Sequence, residues 1–136
     1  MAEISKQVIE GPGVPPVLGP YSPGVRTGGL LFVSGQGGLD AVTGELAGEG
    51  FLEQARQAFR NVEAVLRAGG SRLDLVVSVT VLFTDFAFLA ELNQVFAEFF
   101  PTDPPARVTM QVGLPGAVRI SVACTAAVDR EPAGAG

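Results

Sequence analysis

The sequence predicts an α+β fold, a mixed β-sheet with two helices packed on one of its faces. Three observations carry that prediction. Apolar residues recur at three- and four-residue steps from Phe51 to Leu66 and again from Phe88 to Phe99, the stripe of an amphipathic helix. Short alternating stretches rich in valine and threonine precede, separate and follow these segments. The chain has 136 residues, 47% of them hydrophobic, which suits one core and argues against disorder.

Lys6 to Glu10 alternates like a short strand. From Gly11 to Pro23 five prolines fix φ and remove amide donors, so an ordered loop is expected. Val25 to Thr27 and Leu30 to Ser34 flank Gly28-Gly29 and read as a hairpin. Gln36 to Gly50 reads as loop, with Asp40, Thr43 and Gly44 as turn residues.

The first helix, of about five turns, places Ala55, Ala58, Phe59, Val62 and Val65 inward and Glu53, Arg56, Arg60, Glu63 and Arg67 outward, and Gly69-Gly70 stops it. Leu73 to Thr84 reads as a strand with Leu75, Val77, Val79, Val81 and Phe83 on one face. Asp85 is placed to cap a second helix, closed by Pro101 and Pro104-Pro105. Arg107 to Val112 and Val118 to Val128 are the last strands, and the tail from Asp129 to Gly136 is expected to fray. The whole chain reads as one domain, with a core of about residues 5–128.

The later strands pair an apolar face with a face of small or hydroxyl residues, such as Ser78 and Thr80 or Ser121, Ala123 and Thr125. A sheet facing water would show Lys, Glu or Arg there, so a second subunit is expected to cover it. A charged fraction of only 17% points the same way.

Composition also excludes functions. A net charge of −5, with no Lys/Arg run, argues against nucleic acid as the main partner. The chain has no histidine and one cysteine, Cys124, which leaves little for a metal site, no His-assisted nucleophile and no intrachain disulfide. The start lacks the apolar centre of a signal peptide, and no stretch approaches the ~18 apolar residues of a membrane span. A cytoplasmic protein is expected.

Four stretches, in register over roughly residues 18–128, resemble the RidA/YjgF family of enamine/imine deaminases. They are Gly19-Pro20-Tyr21-Ser22; Val33-Ser34-Gly35-Gln36 with Leu39-Asp40 and Thr43-Gly44-Glu45-Leu46; Val79 to Asp85 followed by Asn93, Phe96 and Phe99; and Pro105-Ala106-Arg107 with Leu114-Pro115. The resemblance implies a chorismate-mutase-like subunit, a homotrimer with a central barrel, and sites between subunits. It implies hydrolysis of 2-imino acids or 2-aminoacrylate to 2-keto acids and ammonia, without cofactor or metal.

Arg107 is the first candidate. A guanidinium holds a carboxylate through two parallel hydrogen bonds, and the resemblance assigns the arginine of Pro-Ala-Arg to the substrate carboxylate. From the residues alone, a surface arginine or a structural interface pair is the preferred reading. Tyr21, the only tyrosine, sits in the proline-rich loop, and the resemblance places it along the cleft; a ring anchored on the core is the alternative. The resemblance implies that Ser34 and Gly35, at a strand end, hold substrate through hydroxyl or amide; a turn-forming serine is the alternative from the residues alone. Gly37-Gly38 stands where the family usually has a bulkier apolar-proline pair. Cys124 shares the apolar parity of its strand and reads as a core thiol.

The departure is Ser121, which aligns with the glutamate that positions the attacking water in deaminating members. No Asp or Glu occurs between Asp103 and Asp129 to replace it. A serine can hold a water but cannot take its proton at neutral pH, and general-base help contributes about 10²–10⁴-fold. The readings are therefore a deaminase of reduced efficiency, with Ser121 as water-positioner, or a non-catalytic trimer binding small carboxylates. Amide or carbamate hydrolysis lacks a nucleophile–base pair, and RNA cleavage is disfavoured by the acidic balance and missing histidines.

Overall fold

The computed structural model describes residues 5–129, so all but the first residue of the tail expected to fray lies outside the described residues. The elements are β1 (Gln7–Ile9), β2 (Gly24–Thr27), β3 (Leu30–Gly37), α1 (Phe51–Ala68), β4 (Val76–Phe83), α2 (Leu89–Phe99), β5 (Ala106–Gln111) and β6 (Ile120–Ala127). They build a sheet in the order β1-β2-β3-β6-β4-β5, antiparallel except for the β4–β5 pair. That pair is parallel because α2 carries the chain back across the sheet before β5 begins.

Both helices cover one face, where Leu31, Val33, Val79, Val81, Phe83, Ile120 and Val122 meet Ala55, Phe59, Val62, Val65, Leu92 and Val95. Phe59 ties the helices together, its ring 5.9 Å from Phe96 and 5.4 Å from Phe99. At the helix end Gly70 takes a φ of 83°, a left-handed conformation that costs glycine little, and the Ser71 amide donates back to the Leu66 carbonyl.

The opposite face carries no helix. Cross-strand partners share a face, so Phe32, Thr125, Ser78 and Ala106 form one row, Ala123, Thr80 and Val108 the next, and Ser121, Leu82 and Met110 a third. Phe32, Val77, Val108 and Met110 are 44–55% exposed. The near-absence of charge expected on the second sheet face holds among the described residues, and Arg119, read as part of it, precedes the last strand, which begins at Ile120.

The structure corrects four details. Leu73–Leu75 is a 3-10 turn and β4 begins only at Val76. Val77 does not share the core face with Val79: the β4–β6 register shifts between Val76 and Ser78, a bulge that buries Val76 and turns Val77 outward. Asp85 caps a second 3-10 turn, Phe86–Phe88, by accepting from the Ala87 amide, and α2 starts after it. β3 runs on to Gly37 instead of ending at Ser34, and Leu39 and Leu46 bridge within the stretch read as loop.

Candidate active site

Arg107 lies on β5, the edge strand, paired with the buried Val79, so it shares the helix face. Its guanidinium stands 4.8 Å from the Phe96 ring centre and donates 2.8 Å to Asn93 Oδ1, both on α2. The ring supports the cation through its face while the amide fixes the plane of the fork. Arg107 makes no ion pair among the described residues. Partial burial pulls its pKa down from the ordinary value. The result is an oriented cation lacking a carboxylate.

Ser34, Gly35, Tyr21 and Ser121 gather elsewhere. The β3–β6 register shifts between Val33 and Gln36, which leaves Ser34 and Gly35 without partners on β6. The Ser34 hydroxyl donates 2.5 Å to the Ser22 carbonyl, and the Ser34 amide donates to the Pro23 carbonyl, so the proline-rich loop is tied to the strand here. With its proton committed, Ser34 Oγ keeps only acceptor capacity. Ser121 pairs with Gly37 on the helix-free face, and a Cβ at Gly35 would stand 2.7 Å from Ser121 Oγ. Tyr21 is 48% exposed, so its ring is not an anchor sunk in the core. With Gly35, Gly37, Pro15 to Leu18, Leu39 and Asp40 it lines a cleft along the β3 end.

The predicted residues thus form two half-sites. Arg107 is in register with Val79, Cys124 and Val33 across the sheet. Three strand spacings, roughly 14 Å, separate it from β3. Arg107 and Ser121 also emerge on opposite faces. One copy does not bring the clamp to Ser34.

Other groups offer little chemistry. Asp40 is the one carboxylate lining the cleft among the described residues, and its Oδ1 accepts from the Val42 and Thr43 amides. The Thr43 and Val42 bonds hold it below the usual carboxylate range, which makes it a weak base. Burial pushes the Cys124 thiol up to about 12, so it is neutral and inert at neutral pH. No group of three or more His, Cys, Asp or Glu among the described residues could hold a metal ion. No helix among the described residues is long and apolar enough to cross a membrane.

Sequence reasoning missed the side chains that shape the cleft from behind. Gln54, fully buried on α1, donates to the Gly48 and Ala117 carbonyls, and its Oε1 accepts from the Arg119 amide two residues before Ser121. One side of the same helix carries Asn61, which donates to the Gly37 and Leu39 carbonyls at 3.0 and 2.8 Å. Their seven-residue spacing puts both amides inside the apolar stripe, the one sequence feature that could have revealed them. Gly38 lets α1 approach, since a Cβ there would lie 2.5 Å from the Gln54 backbone.

Known proteins resemble this chain in sequence and fold. The sequence model described as Endoribonuclease L-PSP matches residues 13–128. A RutC family protein of Pyrococcus horikoshii is 39% identical, over 86% of this chain and 94% of the relative. The 2-iminobutanoate/2-iminopropanoate deaminase of Homo sapiens is 34% identical, over 93% of each. Escherichia coli TdcF, solved with bound serine, superposes with a TM-score of 0.85 at 32% identity, covering 90% of this chain and 99% of that one. A match across most of the chain in sequence and in fold settles the kinship: the chain belongs to the RidA/YjgF family.

Proposed function

We propose that the chain is a cytoplasmic enamine/imine deaminase, assembled as a homotrimer in which Arg107 of one copy faces Ser34, Gly35, Tyr21 and Ser121 of the next. The observation that carries the reading is the oriented, carboxylate-free guanidinium of Arg107, held on Asn93 and Phe96 at the sheet edge. Deaminases named for 2-iminobutanoate and 2-iminopropanoate, at 34–35% identity, support the reaction class. The apolar helix-free face supports an assembly that brings the half-sites together.

In this reading Arg107 grips the carboxylate of a 2-imino acid bidentately. Ser34 Oγ accepts from the protonated imine nitrogen, and Tyr21 closes the side of the cleft. Water adds to the electrophilic carbon, the C–N bond breaks, and a 2-keto acid and ammonium leave. Ser121 holds that water, and bulk solvent relays its protons to the departing nitrogen, the transfer that a carboxylate would otherwise mediate. No cofactor takes part. The net charge of −5 and the lack of histidine disfavour RNA cleavage.

Ser121 itself favours a second reading, a non-catalytic trimer that binds small carboxylate metabolites with the same clamp. Hydrolysis of 2-imino acids, made by an amino-acid oxidase and trapped with semicarbazide, separates the two. The wild type is expected to lower the trapped adduct and Arg107→Ala to abolish that effect. Full activity in Arg107→Ala would remove the clamp role. No activity on small, branched or aromatic imines, with retained carboxylate binding, would establish the second reading.

A further inference from the structure

Tyr21 borders two hollows. With Pro15 to Val17 it lines the cleft at the end of β3, and with the same residues it lines a second hollow beside Glu10 and Val14. Its half-exposed ring is thus a partition between them. The backbone that follows is pinned, because the Ser22 and Pro23 carbonyls accept from the Ser34 hydroxyl and amide. The ring itself rests on Gly19. A Cβ at residue 19 would stand 3.1 Å from Tyr21 Cε2 and 3.4 Å from Cδ2, and at the first atom that is tighter than ordinary carbon contact. The Tyr21 amide donates 2.9 Å to the Gly19 carbonyl. That closes a three-residue turn, which the fixed φ of Pro20 suits, and brings ring and glycine together.

Backbone conformation does not ask for glycine here. Gly19 takes no left-handed φ, and a following proline favours extended conformations that any residue adopts. What the position lacks room for is a side chain under the ring.

We propose that Gly19 is a positioning residue for the reaction. Its missing side chain lets the Tyr21 ring lie against the loop backbone, and that placement closes the cleft on the side of the second hollow. This rests on the deaminase reading, in which Tyr21 is the wall beside the bound imine. A larger residue 19 drives the ring edge away. Being half-exposed, the ring yields into solvent, and the cleft opens towards Glu10 and Val14.

Tyr21 is the only tyrosine and the chain has no tryptophan, so its emission reports this ring alone. The test uses Gly19→Val, whose branched side chain suits an extended residue before proline, alone and combined with Tyr21→Ala. Gly19→Val is expected to raise the acrylamide quenching constant of the tyrosine emission. It is also expected to lower kcat/KM for 2-imino acids about tenfold, mainly through KM, because a wall acts on bound substrate and transition state alike. In the Tyr21→Ala background the same change is expected to cost nothing further, the non-additivity of a residue acting through another. Gly19→Ala shifts the ring less and is expected to move both readouts the same way. It carries the test should the valine variant fold poorly, which thermal melting reports. A quenching constant no higher than that of the wild type, or an equal loss of kcat/KM without the Tyr21 ring, would overturn the positioning role and leave the deaminase standing. A wild type that turns over no imine, with quenching still raised by Gly19→Val, would overturn the deaminase reading and confine Gly19 to shaping a binding cleft.

Discussion

Arg107 shows how one residue is prepared for a task by two neighbours. A free arginine side chain loses about 2 kcal/mol of rotamer freedom when fixed, and much of that cost is met here before ligand arrives. Phe96 lies under the guanidinium and Asn93 Oδ1 takes one N–H, leaving other donors for a carboxylate. On the proposed clamp reading, Asn93 is a positioning residue. Asn93→Ala is expected to raise KM about tenfold for every imine, with a smaller change in kcat, because the clamp acts on bound substrate and transition state alike. Asn93→Asp is expected to be worse, since a carboxylate 2.8 Å from the guanidinium would compete with the substrate. Steady-state kinetics on variants with unchanged melting temperatures check both, and an unmoved KM in Asn93→Asp would show that Arg107 does not meet substrate. The motif around Arg107 was legible as Pro105-Ala106-Arg107, but its hold on Asn93 was not, because that contact depends on α2 packing beside β5.

At the scale of elements, α1 is both core helix and scaffold for the cleft. Gln54 and Asn61 use side-chain amides to tie the exit of β3, the Gly48 loop and the entry of β6 to one helix. Gln54→Leu keeps the volume but leaves the part-buried Gly48 and Ala117 carbonyls and the Arg119 amide without their partner. A loss of about 1–3 kcal/mol is expected from these broken bonds, read as a lower urea midpoint with unchanged slope. A midpoint within error of wild type would mean that water replaces the amide. Both helices were legible because a 3.6-residue period leaves a repeating mark over about three to five turns. The bulge at Val76 and Val77 was not, since a run of valines reads equally well in either register. The end of β3 was hidden for a related reason: Gly35 and Gly37 carry no side chain to show alternation.

For the whole molecule, the open question is what covers the second face of the sheet. Phe32, Val77, Val108 and Met110 are each about half exposed, on a face whose other side chains are small, hydroxyl-bearing or aliphatic, Leu82 among them. Strands β1 and β5 are its free edges, and β5 carries Arg107. One operation, packing this face against copies of itself around a threefold axis, would hide the apolar rows and bring an edge arginine towards a neighbouring cleft. Both the assembly and the chemistry then depend on residues that contact no substrate. Val108→Glu places a charge in the row with Thr80 and Ala123, two strands from Ser121 and on the opposite side of β5 from Arg107. The wild type is expected to scatter light as a species of three times 14.0 kDa, and Val108→Glu as one of 14.0 kDa. Burying an unpaired carboxylate three times around the axis is too costly for the trimer, while in the monomer the same side chain stays in water. The monomer is expected to keep its fold and lose imine hydrolysis, although both half-sites are intact within it. Hydrolysis persisting in a proven monomer would mean that Arg107 acts without Ser34, and that the sheet face serves some other contact.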